Sequence, residues 1–402
     1  MQIPTETDLL LATARADAAA LDHDRIRTLA ASTNWTLLVA AAERHKLTPI
    51  VHRSLQLHAA DLVPADALRH LSVRRMTTVS RNQRFADELV RLNGLLLARG
   101  LEVIAYKGPS AATVLYGDLR LRTFGDMDFL VKRDDLDAVC DLLQENGYRN
   151  RWTGTAEQKK LKEREQKEHC FVSGPITLEP HWSITARRFP FDIDYPSLWS
   201  RARQVPFNGS QVLTFGPEDM LLVLCVCGGK GHWQRIQMIS DVAEAIRASP
   251  ALDWRDCFDR AESSRSARMF KVGLYLAHTL LDAKLPDHVI QRIGEDRQVP
   301  AIADKITRLL STPSKRNAWT RQGAAMFSPL LFSLRDNAHD KLEYLVRTTT
   351  TPRSQHLRRF PLGNSMSWAY RLIVPIHDYV LMPVWYLLRP GARKPPDEFQ
   401  QD

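Results

Sequence analysis

Apolar positions along residues 5–100 recur at the spacing of a helix rather than a strand. The stretch "TDLLLATARADAAAL" opens at a Thr/Asp cap and repeats Leu and Ala along one side. "WTLLVAAAERHKLTPIVHRSLQ" continues the pattern, and "RNQRFADELVRLNGLLLARG" stops at Gly100, a natural helix end. The rhythm then changes. "LEVIAYKG" is a short strand-like run that breaks at Gly108, and "PSAATVLYG" predicts a helix with Pro109 in its first turn. "DMDFLV" predicts a second strand, and "RDDLDAVCDLLQENGY" an amphipathic helix closed near Gly147. Strand, turn-helix, strand, helix is the rhythm of a mixed sheet.

Residues 151–168, "RWTGTAEQKKLKEREQKE", are dominated by charge and read as a solvated helix or surface loop. The next run, "HCFVSGPITLEPHWSI", predicts a β-hairpin around Ser173, Gly174 and Pro175. Residues 217–285 return to helices, with an apolar face broken at Gly228-Gly229, and further helical segments follow. The class is α+β. A helical region (1–100) precedes a small mixed sheet (101–215); a helical domain (216–300) completes the cleft, and a helical extension (301–402) carries a basic, aromatic tail.

Composition narrows the partners rather than the fold. The 402 residues are 44% apolar and 25% charged, as in an ordinary globular chain. The net charge of +9 favours anionic partners: nucleotides, nucleic acid or an acidic membrane face. Five cysteines, with Cys225 and Cys227 one residue apart, make no disulfide framework and no C-x-x-C pair. No basic-then-apolar leader and no apolar run of about 20 residues is visible, so a cytoplasmic location is expected.

Asp126 and Asp128, two apart at the start of a strand, would face the same side. Two carboxylates so placed repel unless a cation sits between them, and a hard cation such as Mg²⁺ takes such oxygen ligands together with substrate phosphates. Upstream, "YKGPS" places Gly108 in a strand-to-helix turn whose amides, with Ser110, suit a phosphate. Lys107 and Arg122 add positive charge to the same unit. Downstream, Thr177, Glu179 and His181 share a strand face, so Glu179 can supply a third carboxylate. Pro180 beside it suits an edge strand. Taken singly, each of these is equally a plain turn, an exposed charge or an edge-strand acid.

These stretches, "YKGPSAATVLYGDLRLRTFGDMDFLV" and "LEPHWSI" with the helical "GPEDMLLVLCVCGGKGHWQRIQMISDVAEAIRASPALDW", resemble the nucleotidyltransferase superfamily that includes DNA polymerase beta and the kanamycin nucleotidyltransferases. More narrowly, they resemble its bacterial uncharacterised nucleotidyltransferase branch, over roughly residues 35–255. The resemblance implies a polymerase beta-like sheet and transfer of a nucleoside monophosphate from an NTP, with ATP as default, to a small-molecule, sugar or peptide acceptor. It implies two Mg²⁺ ions, with Mn²⁺ as a substitute, held by Asp126, Asp128 and Glu179. It gives phosphate contacts to Lys107, Gly108, Ser110 and Arg122.

Other residues read two ways. Lys230, His232 and Arg235 in "GGKGHWQR" either line the open side of the cleft or mark a glycine-relieved helix junction. His181 either orients Glu179 or packs beside Trp182. Asp241 reads as a buried acid paired with a cation. The tail "WAYRLIVPIHDYVLMPVWYLLRPG" lies on a membrane surface, or covers the protein's own core or a partner; its breaks at Pro375 and Pro383 and its His377-Asp378 favour packing. Three functions stand at this stage: an active nucleotidyltransferase, a non-catalytic NTP-binding adaptor that keeps the fold, and a nucleic-acid enzyme. No RNA-binding signature, zinc site or arginine-rich arm supports the last.

Overall fold

The computed structural model describes residues 3–312 and 328–388. The expectations for 313–327 and 389–402, including the end of the basic tail, lie outside the described residues. The architecture is α+β, predominantly helical around one small mixed sheet. Five strands, β1 (Val103–Ala105), β2 (Met127–Val131), β3 (Arg149–Asn150), β4 (Phe171–Ser173) and β5 (Ile176–His181), form a sheet of order β1-β2-β5-β4-β3. A separate hairpin joins β6 (Arg203–Phe207) to β7 (Ser210–Thr214). Its Asn208-Gly209 turn has φ of +46° and +77°, the conformation that such a tight turn requires.

The described residues divide into two compact units, one within Met1–Met127 and Ile193–Pro313, the other within Asp128–Asp192 and Ser314–Asp402. In the first unit the N-terminal helices lead into the long helix Ala65–Ala98, which ends just before Gly100 (φ +70°). Its core includes the edge-to-face pair Phe85–Phe124 at 5.7 Å. The "GGKGHW" stretch ends helix Pro217–Lys230 in a turn that drives Trp233, fully buried, back beneath that helix. A Cβ on Gly228 would lie 2.3 Å from the Trp233 ring, so that position takes no side chain. The five cysteines are free. Burial raises the Cys225 thiol well above its ordinary value and pushes Cys257 up to about 12, which leaves both as small core residues.

The second unit contains the predicted hairpin, with Phe171 opposite Leu178 and Ser173 opposite Ile176. The expectation that Pro180 marks an edge strand is corrected: β5 lies inside the sheet, between β2 and β4. Pro180 is tolerated because it lies beyond the β4 register, where it lends its carbonyl to the His169 N–H (3.2 Å). The reading of 151–168 as solvated is corrected as well. Thr155 and Gln158 form a capping box that starts helix Ala156–Glu165, and Leu161, Lys162 and Glu165 are buried. Leu161 joins Trp152, Leu357, Tyr370 and Val374 in one apolar cluster. Burial lowers the Lys162 ammonium to about 8, and its Nζ lies 3.2 Å from His169 Nδ1. The charges at the ends of long aliphatic stems hid a packed helix.

Candidate active site

In the first unit, the chain leaves β1, turns at Lys107 and enters helix Gly108–Tyr116, with Pro109 in the first turn. Gly108 has φ +58°, and a Cβ there would stand 2.8 Å from the Asp126 carbonyl oxygen and 3.4 Å from Met127 Cα. The glycine therefore lets the helix start lie directly against the backbone that carries the first aspartate. Gly108→Ala is expected to cost about 1–2 kcal/mol for the left-handed backbone alone, with the clash adding to it. Urea unfolding measures this, and an unchanged midpoint would mean that the turn relaxes freely.

Ser110 is fully buried and its hydroxyl donates to the Ala105 carbonyl at 2.8 Å, so its proton holds the turn. Lys107 Nζ lies 5.2 Å from the Tyr106 ring centre. Arg122 is buried and forks onto Asp241, Nε to Oδ1 and Nη2 to Oδ2, both at 2.8 Å. Tyr116 donates to the same Oδ1 at 2.8 Å. Burial works against the guanidinium charge, but Asp241 outweighs it and raises the Arg122 pKa; burial and then Asp241 raise the Tyr116 phenol well above its ordinary value. Asn82 holds the Arg122 carbonyl and Gln237 that of Thr123, so the segment approaching Asp126 is tied down along its backbone. Asp126 itself, half-buried, lies in the bend before β2. Lys230 closes its helix, and burial pulls His232, at φ +59°, down to about 4.

In the second unit, β2 and β5 run side by side and bring together Asp128, Glu179 and His181, which are far apart in sequence. One ligand atom from each lies within 4.8 Å of the others; Asp126 is outside this group. His181, fully buried, has Nε2 2.9 Å from Asp128 Oδ1 and 3.6 Å from Glu179 Oε2. Its Nδ1 lies 3.3 Å from Glu168 Oε2 and 3.3 Å from Lys167 Nζ. Burial would raise the Glu179 carboxyl, with Asp128 adding to it; the neighbouring His181 imidazole, with help from Lys167, outweighs both and leaves it below its ordinary value. Asp128, buried, and Glu179, half-buried, thus form a pair of oxygen donors beside His181 and Lys167. Carboxylate oxygens suit Mg²⁺ or Mn²⁺, and the imidazole beside them suits Mn²⁺ better than Mg²⁺.

Sequence reasoning named Asp128 and Glu179, left His181 between orienting Glu179 and packing beside Trp182, and missed Lys167 and Glu168. They reach the site because residues 167–169 run antiparallel to the end of β5, with Glu168 bridged to His181. The local signal was the alternation that begins before Phe171, masked by the charged run preceding it.

A second buried group, His356, His377 and Asp378, also has its ligand atoms within 4.8 Å. There, His356 Nδ1 accepts the Arg353 N–H at 3.0 Å, so its proton sits on Nε2 and points at Asp378 Oδ1, 2.9 Å away. That ring offers Asp378 a donor rather than a lone pair to a cation.

A protein family described as uncharacterised nucleotidyltransferase matches residues 31–282. The match spans the Gly108 turn, both aspartates, the hairpin and the "GGKGHW" junction. No curated protein and no solved structure matches the chain. The family carries nucleotidyl transfer as its general activity, with an NTP as the donor substrate. Since the matched region is more than half of the sequence and holds the Gly108 turn together with Asp128, Glu179 and His181, this protein belongs to the uncharacterised nucleotidyltransferase family.

Proposed function

We propose that this chain transfers a nucleoside monophosphate, by default AMP from ATP, to a small-molecule, sugar or peptide acceptor and releases pyrophosphate. The observation that carries the reading is the Asp128–Glu179–His181 cluster on two adjacent strands, within a family of nucleotidyltransferases. Asp126, Asp128 and Glu179 would hold two Mg²⁺ or Mn²⁺ ions, which supply neutralisation of the triphosphate and activation of the acceptor oxygen. Glu179, kept ionised beside His181, takes the acceptor proton as the new bond to the α-phosphorus forms and pyrophosphate leaves. His181, buried with its Nε2 3.6 Å from Glu179 Oε2, limits where that carboxylate can swing before substrate arrives.

Lys107 and the first amides of helix Gly108–Tyr116 bind the phosphates, and Ser110 keeps that turn closed by its bond to Ala105. Arg122 acts from behind, through Asp241, by fixing the segment that delivers Asp126. Lys230 and His232, the latter neutral near pH 7, add contacts to the nucleotide. The test is incubation with each NTP and Mg²⁺ or Mn²⁺, followed by a pyrophosphate assay and mass spectrometry of the protein and of candidate acceptors. Pyrophosphate release that needs the cation is expected. An NTP that binds with no cation-dependent turnover would make the protein a nucleotide-binding adaptor instead.

A further inference from the structure

The C-terminal helical run has its polarity reversed. From Tyr370 to Leu388 the chain is continuously helical, with a π turn at His377–Leu381. Leu372, Ile376, Val380, Val384 and Leu388 follow one another in steps of four, and each is between 48% and 76% exposed. Steps of four overshoot an α-helical turn by about 40°; the wider π turn winds more slowly and takes that drift back, which keeps the row on one face. The inward face holds Tyr370 and Val374 against the Trp152–Leu161–Leu357 cluster. It also holds the only acid of residues 353–388, Asp378, 5% exposed and hydrogen-bonded to His356 and His377.

A water-facing helix puts such residues the other way round. Half of the exposed large apolar side chains among the described residues fall between 366 and 388, far more than scattered surface residues would place there. The row is preceded by Trp368, 62% exposed, of a residue type that gathers where lipid meets water. The formal charges of 353–388 other than Asp378 are four arginines, of which Arg359 and Arg371 are exposed. No described helix is long and apolar enough to cross a membrane.

We infer that this face lies in the plane of an anionic lipid surface, its aliphatic row in the acyl boundary and Arg359 and Arg371 at the headgroups. The inference goes beyond the nucleotidyl transfer reading and does not depend on it. A protein groove would cover the same apolar row, but the exposed formal charges of 353–388 are arginines, and membrane lipid is the extended anionic surface that matches them.

The test is flotation of the full-length protein with vesicles of phosphatidylcholine alone and with about one-third phosphatidylglycerol. Binding to the anionic vesicles is expected, weakening as salt rises. The pair Ile376→Ser and Val384→Ser should lower it by about tenfold or more. The pair Arg359→Glu and Arg371→Glu should lower it by about tenfold or more, at roughly fivefold for each charge. Circular dichroism checks that both variants stay folded. Equal flotation on both vesicles, or on neither, overturns the inference. So does a dimer that the Ser variant dissolves while vesicle binding is absent, which would give the face to a second copy of the chain.

Discussion

Replacing Asp128 by Asn should reduce cation-dependent pyrophosphate release by about a thousandfold or more. The substitution keeps shape and removes one charge from a residue that is 4% exposed and 2.9 Å from His181. Asn offers a neutral oxygen where a cation needs an anionic one, so Mn²⁺ binding measured by calorimetry should weaken in parallel. That readout needs no acceptor. Glu179→Gln should lower turnover as well, and should flatten the acid limb of the pH–rate profile, because it removes the group that takes the proton. Asp126→Asn tests the other half of the predicted pair. Turnover within about tenfold of the parent protein in the Asp128 and Glu179 variants would reject the mechanism.

The second large effect concerns stability. Asp241→Ala should destabilise the fold by about 3–5 kcal/mol, because it strands a buried guanidinium. Arg122 loses both hydrogen bonds of its fork, and the Tyr116 hydroxyl loses its acceptor at the same time. The double variant Arg122→Met with Asp241→Leu separates two explanations. If the loss arises from the uncompensated charge, the apolar pair recovers most of it, since well-packed hydrophobes replace buried ion pairs at little cost. Urea midpoints of the single and the double variant read this directly. A single variant near the parent midpoint would mean that water reaches Arg122 and that the pair is ornamental.

How much of this could be read from sequence depends on range. β2, the hairpin Phe171–His181 and the helix after Asp134-Asp135 follow from local alternation and turns, and they appear where the pattern puts them. Glu179 and His181 share a face by period two, which made Glu179 legible as a site residue and left His181 open between orienting it and packing beside Trp182. That His181 would lie between Asp128 and Glu179 was not legible, because it depends on β5 pairing beside β2, and strand order is a long-range choice. Arg122 and Asp241 illustrate the same limit at 119 residues' separation. The sequence marked one as a phosphate-binding cation and the other as a buried acid seeking a partner; the structure makes them each other's partner. The hairpin β6–β7 was missed although Asn208-Gly209 announces it, since "RQVPF" and "SQVLT" alternate too weakly to stand out. In 151–168, counting charges concealed that one side of the helix is inside.

The fork between Arg122 and Asp241 also shapes how sequences of this kind drift. Each residue, once buried, is a liability without the other, so neither position can change first without passing through a poorly folded intermediate. Lys cannot take Arg122's place cleanly, because an ammonium has no planar pair of donors to match both oxygens of a carboxylate. The two positions are therefore bound to a shared fate: kept together, or lost together for an apolar pair. Substitution at either one is a signature of change at the other, in a segment that leads straight to Asp126.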